Sequence, residues 1–216
     1  MRIAGIDEAG RGPCFGPMVI SVCVIEKADE DKLREIGVKD SKQLTPQERA
    51  RQFDQIKNAV LEHASVQIDS PELDALMNQR SLNEIEAMKI AFLLNNLAHK
   101  PEIAYIDSPD PIASRFAERI KKYLSFNCVL KTEHKADVNY PVASAASILA
   151  KVTRDAAIEA LSRKFGDIGS GYPHDEKTVS YLKHYVQTHG ELPPFCRKNW
   201  ETSTRMLDAH HQQKLF

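Results

Sequence analysis

Ile3-Ala4-Gly5-Ile6-Asp7-Glu8-Ala9-Gly10-Arg11-Gly12-Pro13 runs from an apolar segment into two adjacent acids and then into a turn rich in glycine and proline. The run from Ile3 to Asp7 reads as a buried strand, and the turn residues after it mark where it stops. Two adjacent charges abutting such a strand are costly to desolvate without a partner. Asp7 and Glu8 are therefore candidates for holding a cation, beside a loop whose Arg11 suits an approaching phosphate. Successive strand side chains alternate between faces, so both acids meet one ion only if the chain turns directly after Asp7. The Ala-Gly-Arg-Gly that follows suits such a break, and a turn there is the expectation.

Working outward, Met18 to Ile25 is apolar at nearly every position and reads as a second buried strand, and Ala64 to Ile68 as a third. Between them Thr45-Pro46-Gln47-Glu48 has the residues of a helix start, a threonine cap with proline first and glutamate third, opening a helix to about Leu61. Ser81 to Leu97 predicts a helix, Ile103 to Asp107 a strand that again ends on a carboxylate, Pro111 to Leu124 a helix and Cys128 to Leu130 a short strand. A long helix over Val142 to Phe165 begins with alanine and other small residues; a glycine-rich break at 166–171 separates it from a helix near Glu176 to His189. The order β-β-α-β-α-β-α-β-α predicts an α/β fold, a sheet with helices on its faces. Residues 1–190 are expected as the catalytic domain and 191–216, with Pro193-Pro194 and Trp200, as a helical appendage and tail.

Net charge is −1, so bulk charge does not mark a nucleic-acid binder. Its distribution is uneven: residues 1–108 hold 13 basic against 18 acidic side chains, and 109–216 hold 16 against 12. A basic half facing an acidic metal site suits a polyanionic substrate, although solvated helix faces explain the same counts. The cysteines Cys14, Cys23, Cys128 and Cys196 are scattered without zinc-finger spacing, so free thiols are expected. Acidic residues stand where a signal peptide carries its apolar core, and no apolar run reaches membrane-spanning length. A soluble, cytoplasmic protein with no membrane contact is the expectation.

Asp7 and Asp107 each follow an apolar strand, and open α/β sheets form sites where strands end. Asp137, in His134-Lys135-Ala136-Asp137, precedes the long helix and supplies a fourth candidate acid. Carboxylates around a cleft suit a hard ion such as Mg²⁺, whereas zinc would call for His or Cys. Taken singly, each acid also fits a turn-capping role, as at Asp107-Ser108-Pro109. Other readings of the glycine loop fail on particular residues. A dinucleotide loop must open a helix, but Pro13 and Pro17 interrupt this one and a strand follows. A phosphate-binding P-loop needs Gly-Lys-Ser/Thr, which is absent, and Ala9 stands where an aspartate phosphatase carries its second acid.

Together the motifs are far more specific than any one of them. Ile6 to Pro13 with Gly16-Pro17, then Lys39-Asp40-Ser41-Lys42-Gln43-Leu44, Ile106-Asp107, Lys135-Ala136-Asp137, Ala143 to Asp155 and Gly169-Ser170-Gly171-Tyr172-Pro173 resemble a type 2 ribonuclease H, from residue 3 to about 200. The early Asp-Glu pair and the Gly-Ser-Gly-Tyr-Pro segment resemble archaeal members more than bacterial ones. The resemblance implies a ribonuclease H-like fold, a central mixed sheet flanked by helices with a helical C-terminal part. It implies cutting of the RNA strand of RNA–DNA hybrids, and 5′ to single ribonucleotides in duplex DNA, with Mg²⁺ or Mn²⁺. By position it makes Asp7, Glu8, Asp107 and Asp137 the metal-binding catalytic acids, and Tyr172 the tyrosine that stacks on the deoxyribose after the ribonucleotide.

The backbone of Gly10-Arg11-Gly12 bears no side chain at two of three positions and so can approach a sugar, where a 2′-hydroxyl must be read. Lys42 and Lys151 are candidate phosphate contacts. The ending Gln212-Gln213-Lys214-Leu215-Phe216 resembles the start of a sliding-clamp-binding tail, and the family resemblance suggests a monomer. Two competing readings stay in view: a noncatalytic RNA–DNA-hybrid binder using the basic half, and another ribonuclease H-like nuclease such as a DNA resolvase. A pure binder gains nothing from negative charge near phosphates, which counts against the first.

Overall fold

The computed structural model describes residues 1–38 and 44–213. Five strands form the sheet: β1 (Arg2–Ala9), β2 (Met18–Glu26), β3 (Glu62–Ile68), β4 (Ile103–Asp107) and β5 (Val129–Glu133). Before β4 lie α1 (Glu30–Ile36), α2 (Pro46–Ala59), α3 (Ser70–Met77) and α4 (Leu82–Asn96). After it come α5 (Ala113–Lys121), α6 (Ala136–Asn139), α7 (Pro141–Phe165), α8 (Glu176–His189) and α9 (Glu201–Gln213).

Local chemistry sets most boundaries. At α2 the Glu48 amide donates to the Thr45 hydroxyl (3.2 Å) and the Thr45 amide to the Glu48 carboxylate (2.7 Å), a reciprocal cap. Asp69 and Ser81 cap α3 and α4 in the same sense, and Gly37, at φ 80°, closes α1. Helices α1, α3 and α6 add to the sequence reading. Each is short, four to eight residues, too few for a helical period to show.

The sheet order is β3-β2-β1-β4-β5. β1 runs antiparallel to β2 from Arg2↔Glu26 to Ala9↔Val19, and parallel to β4 from Ile3↔Ile103 to Ile6↔Ile106. β4 is in turn parallel to β5, ending at Asp107↔Glu133. The sheet is therefore mixed, as expected. Because β1 and β4 are parallel neighbours in register, Asp7 and Asp107 emerge at the same end of the sheet.

The chain divides into two compact units that do not follow chain order. The first comprises Met1–Ala9, Val19–Val66 and Ser81–Thr153; its core packs Ile3, Cys23, Ile25, Ile56 and Tyr105 with Val142, Ala145 and Leu149 of α7. The second comprises Gly10–Met18, Gln67–Arg80 and Arg154–Phe216, around Phe15, Ile158, Leu182, Val186 and Phe195. Residues 191–216, expected as a separate appendage, thus share a unit with the glycine loop and with α8. Among the described residues no helix is long and apolar enough to cross a membrane.

One close approach fixes α7 against the sheet. A Cβ on Gly5 would overlap the Val142 carbonyl and lie 2.5 Å from the Ala143 nitrogen, so only glycine lets the start of α7 settle on β1. The small residues that follow, Ala143, Ala145 and Ala146, are fully buried there.

Candidate active site

Asp7 is buried in β1, with 7% of its surface exposed, and accepts the Glu8 amide at Oδ1 (2.8 Å). Burial pushes its carboxyl well above the ordinary range, and the charges of Glu8, Asp107 and Asp137 push in the same direction; a hydrogen bond from Ser147 opposes them. Asp7 therefore lies within electrostatic reach of the other three acids named from the sequence.

The structure corrects one expectation. The chain does not turn after Asp7: β1 continues to Ala9, with Glu8 paired to Ile20 and Ala9 to Val19. The break comes at Gly10, whose φ is 82°. The strand outlasts the acidic pair because β2 offers backbone partners for it down to Val19. Glu8 is half-buried, and its Cβ leaves the opposite side of the strand from that of Asp7.

Asp107 ends β4, and its Oδ1 accepts the Ala136 amide (3.0 Å). That amide is presented by Lys135, the one described non-glycine residue with positive φ (61°). Such a backbone costs about 1–2 kcal/mol in an L-residue. It delivers Asp137, also 7% exposed, into the buried side of α6 rather than into an open stretch before the long helix. Ser144, in the first turn of α7, donates to the Asp137 carbonyl. Ser147 lies one turn further along the same helix face, and Lys151, half-buried, one turn beyond it. The sequence reading took Ser144 and Ser147 only as small residues; their spacing of three, ahead of Lys151, was the available signal.

Among the described residues no three Asp, Glu, His or Cys side chains stand in closed metal-ligand geometry. The acids form a neighbourhood of negative charge with oxygen donors only. That donor set fits a hard divalent cation, which would relieve the repulsion that raises Asp7.

In the second unit the glycine loop and Tyr172 are neighbours: a Cβ on Gly12 would stand 3.8 Å from the Tyr172 ring. The Gly171 carbonyl joins the two segments, accepting the amides of Cys14 (2.8 Å) and Phe15 (3.3 Å). Gly169 and Gly171 have φ of 68° and 84°, a backbone that glycine adopts freely. Asp175 and Thr178 at the start of α8 pin this turn, through the Ser170 amide to Asp175 (2.6 Å) and the Gly171 amide to Thr178 (2.9 Å). The Ser170 bonds hold the Asp175 carboxyl down at about 2.

Two buried arginines complete this part, and neither was assigned a role from the sequence. Arg154, at the end of the Ala143 to Asp155 segment, is 1% exposed. Its guanidinium lies 5.1 Å from the centre of the Tyr172 ring and donates to the Ser170 carbonyl (3.0 Å). Its side chain also fills the space where a Cβ of Gly10 would go. Arg197, with no exposed surface, donates to the carbonyls of Gly10 (2.6 Å), Arg11 (3.1 Å) and Gly16 (2.9 and 3.1 Å). Arg11 is half-buried. Lys42 lies outside the described residues, as do the last three residues of the proposed clamp tail.

Comparison with known proteins gives a consistent picture. The family model described as Ribonuclease HII matches residues 4–203. Ribonuclease HII of Pyrococcus furiosus is 46% identical over 214 residues, 99% of this chain and 95% of that one. The crystal structure of ribonuclease H2 from Pyrococcus horikoshii superposes with a TM-score of 0.93 at 44% identity, covering 98% of this chain and all of that one. The ribonuclease HII in a PCNA:RNase HII complex from Archaeoglobus fulgidus gives a TM-score of 0.86 at 39% identity, covering 93% and 96%.

Proposed function

The chain belongs to the ribonuclease HII family, and on that premise we propose that Asp7, Glu8, Asp107 and Asp137 hold two divalent ions, Mg²⁺ or Mn²⁺, at the place where it cuts nucleic acid. It is a ribonuclease H-type endonuclease, a phosphodiester hydrolase. Its substrates are RNA–DNA hybrids and duplex DNA carrying single ribonucleotides, cut on the 5′ side of the ribonucleotide to leave 3′-hydroxyl and 5′-phosphate ends. The observation that carries the site reading is the Asp7 carboxyl, raised first by burial and then by the charges of Glu8, Asp107 and Asp137.

When held by Asp7, Glu8, Asp107 and Asp137, divalent ions would supply Lewis-acid activation of water and charge stabilisation for an in-line displacement. The chain's own residues do the rest. Ser147 orients Asp7, the Ala136 amide orients Asp107, and Ser144 fixes the backbone of Asp137. Lys151 meets a phosphate along the strand being cut. Gly10-Arg11-Gly12 brings backbone close to the ribose, where the 2′-hydroxyl separates RNA from DNA. Tyr172, steadied by Arg154, stacks on the sugar that follows and favours RNA-to-DNA junctions.

The protein works as a cytoplasmic monomer in removing ribonucleotides from DNA. Its tail Gln212–Phe216 docks weakly on a sliding clamp; the complex that the Archaeoglobus relative forms with PCNA supports this. One assay tests the central reading. A labelled duplex with a single ribonucleotide is offered, with and without Mg²⁺, to the native protein and to Asp7→Asn. Metal-dependent cutting 5′ to the ribonucleotide, lost in the variant, is the expected result. Binding without cutting indicates a hybrid-binding module instead, and cutting of an all-DNA branched substrate indicates a resolvase.

A further inference from the structure

We infer that Arg197 and Trp200 are positioning residues for the ribose-facing loop: they hold its backbone in the one orientation that lets the enzyme distinguish ribose from deoxyribose. The inference rests on the reading of Gly10-Arg11-Gly12 as the ribose reader.

The side chain of Arg197 is fully buried, and buried arginines are ordinarily paired with a carboxylate. Here the guanidinium directs four hydrogen bonds to main-chain oxygens: one to Gly10, one to Arg11 and two to Gly16. It also stacks on the Trp200 ring with 4.7 Å to the centroid. The indole N–H of Trp200 in turn donates to the Gly12 carbonyl (3.2 Å). Every carbonyl of the Gly10-Arg11-Gly12 run is thereby taken by one of these two side chains.

That has a geometric consequence. Among the described residues no peptide is cis, and in a trans peptide the C=O and the following N–H point in opposite directions. Drawing in the carbonyls of Gly10 and Arg11 therefore turns the amides of Arg11 and Gly12 the other way. Gly12 is exposed. The exposed Gly12 amide thus stands on the side away from Arg197, suited to a hydroxyl or phosphate oxygen, and Pro13 ends the row because it has no N–H. The four bonds leave from three nitrogens of a planar fork; a lysine ammonium has one nitrogen and three donors and cannot reproduce that set.

The roles of loop and clasp separate in one experiment. Binding of a duplex with one ribonucleotide and of its all-DNA counterpart is measured by fluorescence anisotropy, in an Asp7→Asn background so that nothing is cut. Trp200→Phe keeps a ring beneath Arg197 and removes only the donor to Gly12. It should lower the ribose-over-deoxyribose preference about 3- to 10-fold, the worth of one net hydrogen bond, and leave affinity for the all-DNA duplex and the melting temperature close to the parent. Arg197→Lys should lower the preference further. An unchanged preference in Trp200→Phe, or an equal loss of affinity for both duplexes, overturns the inference and leaves the pair a structural support. If the parent shows no preference for ribose, the reading of the loop fails, and the clasp with it.

Discussion

Gly5 offers a direct way to ask whether the acids depend on the seat of α7. In Gly5→Ala the new Cβ meets backbone rather than a side chain that could rotate away: the Ala143 nitrogen at 2.5 Å and the Val142 carbonyl closer still. Ordinary carbon contacts settle near 3.5–4.0 Å, so α7 must withdraw by about 1 Å or more. Overpacking of this kind costs about 1–3 kcal/mol, and a backbone clash belongs at the upper end. For a chain of this length, about 3 kcal/mol lowers the melting temperature by roughly 6–12 °C. The same withdrawal carries Ser147 away from Asp7 and Ser144 away from Asp137. A displacement near 1 Å costs a reaction about 10²-fold, so single-turnover cleavage of a one-ribonucleotide duplex should fall by about that factor even well below the melting point. Differential scanning calorimetry and quenched-flow cleavage on one preparation provide both readings. Native melting and native single-turnover rate in Gly5→Ala would refute the reasoning. Lost stability with an unchanged rate would show that the acids do not depend on where α7 sits.

Asp7→Asn should be more stable than the native protein in EDTA at pH 8, with the two converging near pH 4. A carboxyl whose folded pKa is raised costs nothing below the ordinary carboxylate range and costs stability as the pH climbs from there through its folded value. Urea unfolding at the two pH values checks this, and a less stable variant at pH 8 contradicts the repulsion described for the site. Removing Gln212–Phe216 should weaken capture of the protein by an immobilised sliding clamp while leaving cleavage of free duplex unchanged; undiminished capture rejects the tail as the docking segment.

Much of this was legible because it depends on neighbours in sequence. The Thr45 cap, the apolar run of β2 and the carboxylate at the end of β4 are written in consecutive residues, and each stands where the spacing put it. The end of β1 was misplaced by two residues, because the acidic pair looks like a strand terminus until β2 is known to pair with Glu8 and Ala9. The arginines were illegible for a different reason. Arg197 binds a carbonyl 187 residues away, and nothing local marks it as different from a surface charge. Arg154 sits in a basic stretch of helix, and only the fold shows that it is interior. Ser147 likewise gains its meaning from the strand it meets, not from the helix it belongs to.

The left-handed Lys135 has a consequence for how the site cycles. The bonds that place Asp107 and Asp137 run from the Ala136 amide and from Ser144, so both are made by the protein to itself. At the proposed metal site, an ion leaving after a cut would remove a counter-charge but no structural link, and the acid-bearing backbone would stay where folding put it. What would remain is rotation of carboxylate side chains. The proposed site would therefore work as a socket rather than as a rivet: ions would exchange between turnovers without any part of the sheet or of α7 having to refold.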